Sequence, residues 1–492
     1  MPQTFDIVVI GAGPGGYATA LRAAELGLSV ALVERDATLG GTCLNRGCIP
    51  SKALLTAAHA MHTARWAPVT GLQVQVTGFD FGALRDYRMR AVDAMVKGLA
   101  GLVAHRGITV FRGQASLAGA RQVTVTPSPG CEAVLRYIKA GVAEPVGDSL
   151  RLDAANVVLA TGSRPRPLPG EPFRGALIDS TQALEQDTFP DSAIIIGSGA
   201  IALEFASLWS QTGCEVTLLI RKDRVLSGWD RRTGMTLTRE LKRAGVNVVT
   251  RSHVTAVDTG MNLGATVHYT REGEDGERQA YAQLVLAAVG RDPVTDFDWL
   301  EAVGVALDDR GFVVTDPRGR TSVPDVWAVG DITAGHALAH RAFEQGIVVA
   351  ESIAGLDPRP VDETTVPQIV FSLPEAASVG LTMDQAKARE DLVGVGETAY
   401  PMMGNARMMM SDAAGSLSVV TGADADDPDT QRVLGVHMVA PDASDLIVEA
   451  QQLVGNRVPL AQAARLIHPH PTFAEAMGEA LLKADGRPLH TR

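Results

Sequence analysis

The sequence predicts an α/β fold of three or four lobes, two of them Rossmann-like and each built to bind a dinucleotide. Three observations carry this. A strand, a glycine-rich turn, a helix and a strand ending in an acid open the chain; a closely similar pattern returns near residue 192; and 492 residues are too many for one hydrophobic core. Hydrophobic residues make up 46% and charged residues 20%, which suits a well-buried globular enzyme and excludes a disordered or fibrous chain. The formal net charge of -12 argues against nucleic acid, whose binders cluster positive charge against phosphates.

Phe5 to Ile10 form a short apolar run expected to be a buried parallel strand, and Gly11-Ala12-Gly13-Pro14-Gly15-Gly16 opens a segment rich in alanine and leucine. Gly11 permits the tight turn, Gly13 lets the backbone approach a pyrophosphate, and Gly16 allows close helix packing, while the free N–H groups of the helix start hold the phosphates. The next strand, Ser29 to Val33, ends at Glu34, where an acid accepts hydrogen bonds from a ribose.

Directly downstream stands Gly40-Gly41-Thr42-Cys43-Leu44-Asn45-Arg46-Gly47-Cys48-Ile49-Pro50-Ser51-Lys52. A close thiol pair beside a nucleotide implies electron transfer. One Cys-x4-Cys supplies only two metal ligands, and Cys131 and Cys214 are lone and distant, so a redox pair is preferred to zinc and no metal site is expected. Four cysteines, two of them in one motif, point to a reducing compartment. No basic leader precedes the first apolar run and no stretch is long enough to cross a bilayer, so a soluble cytoplasmic protein without signal peptide is expected.

The second dinucleotide pattern runs from Ser192 to Ile196 through Gly197-Ser198-Gly199-Ala200-Ile201-Ala202, a helix over Ile201 to Gln211 and a strand Glu215 to Ile220. Alanine in the third glycine position is acceptable because that position requires close packing rather than a positive φ. The expected acid is missing from the end of this strand. Arg221, Lys222 and Arg224 stand there instead and suit the 2′-phosphate of NADP, or else form a solvated basic turn.

Near the carboxyl end, His468-Pro469-His470-Pro471-Thr472-Phe473-Ala474-Glu475 places histidine before a helix and an acid in its first turn. Thiol–disulfide exchange needs a group that takes a proton and hands it on, and a carboxylate that fixes the tautomer of that group. Elsewhere, Leu84 to His105 reads as a long amphipathic helix. Pro127 to Gly147 reads as an extra loop or hairpin tip, Asp424 to Asp429 as a solvated acidic loop, and the cluster Met402, Met403, Met408, Met409 and Met410 as adaptable packing.

With these motifs in order, the chain resembles the flavoprotein disulfide reductases, the family of dihydrolipoamide dehydrogenase, glutathione reductase and mercuric reductase, nearly end to end. Gly41-Thr42-Cys43-x4-Cys48-x-Pro50-Ser51-Lys52 is highly specific to it, and further blocks follow in order: Ala160-Thr161-Gly162, Gly290-Arg291-Asp292-Pro293, Ala328-Val329-Gly330-Asp331 and Leu338-Ala339-His340. The resemblance implies FAD in the first lobe and NAD or NADP in the second. It places Asp331 on the flavin ribityl chain, Ala339 in the helix beneath the ring with His340 as a packing residue, and Lys52 near the flavin, paired with Glu204. It makes His470 the base and Glu475 its orienting acid, with His468 the competitor. Cys43 is then the thiolate that exchanges with substrate, and Cys48, against the flavin, the one that passes electrons to the ring.

The implied organisation is two dinucleotide-binding domains plus a carboxyl-terminal α+β dimerisation domain. Residues 1–162 and 291–362 form the FAD domain, 163–290 the NAD(P) domain, and 363–492 the homodimer interface that carries His470 to the partner's thiols. Val366 to Phe371 and Pro374 to Gly380 resemble the opening strands of that interface domain, although Leu373 replaces a usual polar residue. The helix after the thiols, Ala53 to Ala58, offers an apolar wall suited to a lipoyl arm. The resemblance is closest to dihydrolipoyl dehydrogenases, which oxidise dihydrolipoamide with NAD(P)+ and whose partner is a lipoyl domain of a 2-oxoacid dehydrogenase or glycine-cleavage complex. Arg221 to Arg224 look more like the NADP-linked glutathione reductases, and an NADPH-dependent reductase of a small disulfide or quinone is the alternative. The tail lacks the cysteines that a mercuric reductase or a thioredoxin reductase would use.

Overall fold

The computed structural model describes residues 3–139, 142–260, 264–411 and 413–491. It divides into two compact units: Met1–Ala53, Gly82–Pro165 and Arg291–Glu363 in the first, and Leu54–Phe81, Arg166–Gly290 and Thr364–Arg492 in the second.

In the first unit the opening apolar run becomes β1 (Gln3–Ile10), paired in parallel with β2 (Val30–Glu34) and β8 (Leu150–Leu159). Residues 7–10 and all of β2 are buried. Strands covered on both faces need continuous rather than alternating apolar runs, and these stretches supply them. In parallel too, β3 (Thr109–Arg112) lies beyond β2, and β19 (Val326–Ala328) pairs with β8. The antiparallel strands β4 (Gln114–Gly119) and β5 (Gln122–Thr126) extend one edge, and β6 (Val134–Lys139) and β7 (Val142–Gly147) the other. A separate two-stranded ribbon joins β9 (Ser163–Pro165) to β18 (Arg291–Pro293).

Helix α1 (Pro14–Glu25) follows the glycine turn, with α2 (Gly41–Arg46) and α3 (Cys48–Trp66) carrying the thiols; α4 (Phe81–His105), α8 (Asp298–Ala302) and α9 (Ala339–Ile353) complete the set. Helices α1 and α9 cross closely because two glycines meet there. A Cβ on Gly346 would lie 2.8 Å from both Gly15 O and Thr19 N. The guanidinium of Arg22 donates to Glu351 across the same crossing.

The second unit contains a parallel sheet in the order β10 (Leu177–Ile178), β17 (Leu284–Ala287), β11 (Ser192–Ile196), β12 (Glu215–Leu219), β13 (Asn247–Val249). Helix α6 (Ala200–Thr212) is buried along much of its length, Trp209 included, and α7 (Arg231–Arg243) is capped by Asp230. An antiparallel ribbon of β14 (Ser252–Asp258), β15 (Ala265–Arg271) and β16 (Arg278–Ala282) accompanies the sheet, and α5 (Ser180–Leu184) opens with a capping box. The carboxyl-terminal lobe is an antiparallel sheet ordered β20 (Gln368–Val370), β21 (Glu375–Gly380), β24 (Asp427–Ala440), β23 (Ser416–Asp424), β22 (Leu392–Pro401). Around it lie α10 (Met383–Lys387), α11 (Ala406–Met409), α12 (Ala443–Gly455), α13 (Leu460–Ala463) and α14 (Glu475–Ala484). Val419, Val436, Met438, Ile447 and Leu481 anchor its core.

Four expectations change in detail. Within 127–147, expected as a loop or hairpin tip, β6 and β7 pair antiparallel and β6 widens the first sheet by pairing with β3, while residues 140–141 lie outside the described residues. Asp424 is not simply solvated but ion-paired with Arg432, brought alongside by the pairing of β23 with β24, and with Arg457, which follows α12. The methionines divide: Met402 and Met408 are core, whereas Met403, Met409 and Met410 are exposed. His340 lies exposed at the start of α9 rather than buried.

Candidate active site

Each glycine of the first turn meets a different constraint. Gly11 has φ +101°, and a Cβ there would lie 2.3 Å from Ala160 O; at Gly16 it would lie 1.8 Å from Gly11 O. At Gly13 the nearest atom to a Cβ is 3.9 Å away, so the turn is open at this point. Gly41, with φ +55°, closes the other side, since a Cβ there would lie 2.7 Å from Gly13 Cα. Helix α1 starts without a side-chain cap, which leaves its N–H groups for an anion. Glu34 is buried at the end of β2 and accepts from Ala12 N at 2.7 Å and Asp36 N at 2.9 Å. Burial pushes its carboxyl up against the opposing effect of those bonds.

Asp331 accepts from Ser163 Oγ at 2.5 Å, and Arg291 donates to the same Ser163 through Nε at 2.7 Å. Thr161 Oγ1 donates to Val294 O at 2.7 Å, which fixes the turn at Gly162, φ +77°. Ala339 opens α9, whose start also lacks a side-chain cap. A cradle without Cβ atoms, two uncapped helix starts and a buried acid fit a flavin dinucleotide.

Cys43 lies within α2 and Cys48 is the first residue of α3; both are thiols. Gly47 between them is needed, because a Cβ would lie 2.9 Å from Thr42 O. Hydrogen bonding with Cys48 holds the half-buried Cys43 thiol well above the usual range, with burial and the Cys48 charge adding to this, Asp331 adding more and Lys52 opposing. A thiol held up in this way keeps its proton, contrary to the expected Cys43 thiolate, and exchange at Cys43 calls for a base. Tyr17, one residue past the glycine fingerprint, has its hydroxyl pushed up to about 12 by burial and by the charges of Cys43 and Cys48. Sequence reasoning passed over Tyr17 and Ser163, since no spacing rule marks either.

In the second unit Gly197 has φ +142°, a Cβ there would lie 2.3 Å from Ala288 O, and a Cβ at Gly199 would meet open space. Ala202 is fully buried, as a close-packing position requires. Beyond β12 the chain folds back so that Leu226 N donates to Ser198 O, which brings the basic turn beside the glycines. Arg224 is tied to that turn, donating to Asp223 and to Ser227 O, whereas Arg221 and Lys222 are exposed. Gly290 has φ +133°. Glu204 in α6 accepts from Phe371 N at 3.2 Å. Lys52 belongs to the first unit and Glu204 to the second.

The dyad is formed within the carboxyl-terminal lobe. His470 Nδ1 donates to Glu475 Oε1 at 2.6 Å, and Thr472 N donates to Oε2 at 2.9 Å. With Nδ1 so engaged, Nε2 is the atom left to take a proton. The side chain of His470 is 76% exposed, whereas that of His468 is 10% exposed and paired with Glu449 at 2.9 Å. Burial raises the Glu475 carboxyl, but its bonds from His470 and Thr472 outweigh that and leave it below the ordinary range.

Two glycine turns for dinucleotides, a close thiol pair and a histidine–carboxylate dyad define a nucleotide-dependent dithiol–disulfide oxidoreductase. Residues 5–346 match the pyridine nucleotide-disulphide oxidoreductase family and residues 366–481 its dimerisation domain. The chain belongs to this family, as a homodimeric flavoenzyme using FAD and NAD(P). It is 36% identical over 492 residues to the dihydrolipoyl dehydrogenase of Bacillus subtilis (strain 168), covering 100% of both chains. It is 36% identical to dihydrolipoyl dehydrogenase 3 of Pseudomonas aeruginosa, covering 99% of this chain and 100% of the other. Among solved structures, LpdA of Mycobacterium tuberculosis superposes with a TM-score of 0.84 at 26% identity, covering 98% of this chain and 99% of that one. The HOCl-induced flavoprotein disulfide reductase RclA of Escherichia coli gives 0.80 at 25% identity, covering 97% and 99%. Among the described residues no helix is long and apolar enough to cross a membrane.

Proposed function

We propose that the protein is a dihydrolipoyl dehydrogenase, which oxidises dihydrolipoamide to lipoamide with NAD(P)+ through a redox-active Cys43–Cys48 disulfide. The observation that carries this reading is the thiol pair itself: Cys43 in α2 and Cys48 opening α3, close enough to hydrogen-bond to one another.

In the proposed mechanism a thiolate of dihydrolipoamide attacks Cys43 Sγ of the disulfide, forming a mixed disulfide and releasing Cys48 as thiolate. The second substrate thiol then closes the lipoamide ring, breaking the mixed disulfide and passing its proton to the departing Cys43 sulfur. The His470 of the partner subunit takes the proton of the attacking thiol at Nε2, and its Glu475 supports the imidazolium. The two electrons of the substrate now reside in the Cys43–Cys48 dithiol. Gly11, Gly13, Gly16, Glu34, Thr161, Gly162, Asp331 and Ala339, with Lys52 nearby, would hold FAD, which when bound would supply the two-electron chemistry linking this dithiol to the nicotinamide. Gly197, Gly199, Glu204 and Gly290 shape the nicotinamide site. Of the cations beside it, Arg221 is better placed than the loop-bound Arg224 to meet a 2′-phosphate.

The same reading assigns 1–162 and 291–362 to FAD, 163–290 to the nicotinamide and 363–492 to the dimer. It takes a lipoyl domain of a 2-oxoacid dehydrogenase or glycine-cleavage complex as the partner, and a cytoplasmic setting from the reduced thiols that the cysteine usage implies. Anaerobic reductive titration tests the thiol assignment: the wild-type enzyme should take up twice as many electrons per flavin as C43S or C48S. Equal uptake would remove the disulfide from the mechanism.

A further inference from the structure

The loop that carries His470 contains a second histidine–carboxylate pair for which the exchange chemistry has no use. Ala464 and Phe473 join the loop to the core of the lobe, while Leu466 and Ile467 are exposed in the single chain. Polar anchors act on either side of His470. On the carboxyl side of His470, Asn405 Nδ2 donates to Thr472 O at 2.9 Å, Thr472 Oγ1 donates to Pro469 O at 2.7 Å, and Arg407 lies over the Phe473 ring. On the amino side the anchor is His468, whose Nε2 lies 2.9 Å from Glu449 Oε1 on α12.

The opposite face of the His468 ring meets Gly478 on α14. A Cβ at that position would lie 2.5 Å from His468 Nδ1 and 3.0 Å from Cε1. Glycine has no conformational reason to stand in the first turn of a helix, where it is unfavourable relative to alanine. The room it leaves for the ring is the physical reason.

We propose that His468, clamped between Glu449 of α12 and Gly478 of α14, is a positioning residue that fixes the loop from which His470 acts. This rests on His470 being the base. A side chain that acts by position has leverage here, because an ångström of displacement between a base and its thiol costs roughly a hundredfold in rate.

Charge adds a second effect. Its bond to Glu449 raises the His468 pKa against burial, and Glu475 adds to the rise. The charged and titratable groups around the dyad are Glu449 on α12, Glu475 and Glu479 on α14, His490 paired with Glu479, Tyr400 on β22 and Arg407 on α11. Removing the His468 cation leaves Glu475 with less competition for its attraction to a protonated His470.

The test compares H468Q, E449Q and G478A with H470Q in the intact FAD-loaded dimer. H468Q and G478A should each lower kcat for dihydrolipoamide oxidation about tenfold with little change in KM, as a misplaced base would. H468Q, which removes the charge, should also move the acid limb of the kcat–pH profile upward, whereas G478A should move it less. Hydrogen exchange of residues 464–474 should quicken in H468Q, E449Q and G478A. Wild-type kcat and pH profile in H468Q and G478A would overturn the proposal, and so would a lower melting temperature with unchanged turnover per folded site. H470Q keeping full turnover would instead sink the base assignment, and the exchange data would still report whether the clamp holds the loop.

Discussion

The chemistry at residue scale turns on which sulfur holds a proton. Cys48 opens α3, while hydrogen bonding to it and burial push the Cys43 thiol up. The account therefore needs a base, and the dyad His470–Glu475 has the geometry of one. H470Q should lower turnover with dihydrolipoamide about a hundredfold or more while leaving FAD content unchanged, the usual scale for losing a general base. Turnover within a factor of two of wild type would contradict the assignment. Glu475 also predicts a pH effect. Its carboxyl is depressed in the folded state, so its stabilising contribution is present above the unfolded carboxyl range and is lost as pH falls through the folded pKa. Urea midpoints measured across the acid range should accordingly fall less steeply with pH in E475Q than in wild type, and parallel curves would show that the carboxylate contributes nothing.

At the scale of elements, backbone approach decides more than side-chain identity. The α1–α9 crossing depends on Gly346, where a methyl group would press on Gly15 O and Thr19. G346A should destabilise the protein by about 1–3 kcal/mol, the range for overpacking, which denaturant unfolding would measure; an unchanged midpoint would mean that the helices separate freely. This scale also marks how far the sequence can be read. The strand–turn–helix units at Gly11 and Gly197 were legible because each glycine has a local reason and the flanking strands are continuous apolar runs. The hairpin at 134–147 was not. Its strands alternate weakly, and its place is set by pairing with β3, a contact that no local pattern encodes. The ion pairs of Asp424 escaped for the same reason, since Arg432 and Arg457 reach it only after the chain has folded. The dyad was legible because its members stand only five positions apart in the chain. The clamp at His468 was not, because Glu449 and Gly478 lie on different helices.

For the whole molecule the open choice is the nucleotide, and it is made at the end of β12. Arg221 is exposed beside the glycine turn, and Arg224 is bound to its own loop. If Arg221 meets a 2′-phosphate, R221A should raise the KM for NADP+ roughly tenfold and leave that for NAD+ unchanged, the scale of one charge-assisted hydrogen bond. Equal effects on both nucleotides would reduce Arg221 to surface charge. The apolar wall after the thiols favours a lipoyl arm, and the basic turn is shared with reductases that use NADPH, so substrate and nucleotide have to be read together. The most direct measurement is steady-state oxidation of dihydrolipoamide by the purified dimer with NAD+ and NADP+ side by side, and C43S as the control. The account predicts rapid turnover with at least one nucleotide and none in C43S. No turnover with either nucleotide, alongside fast NADPH-driven reduction of a small disulfide, would contradict it.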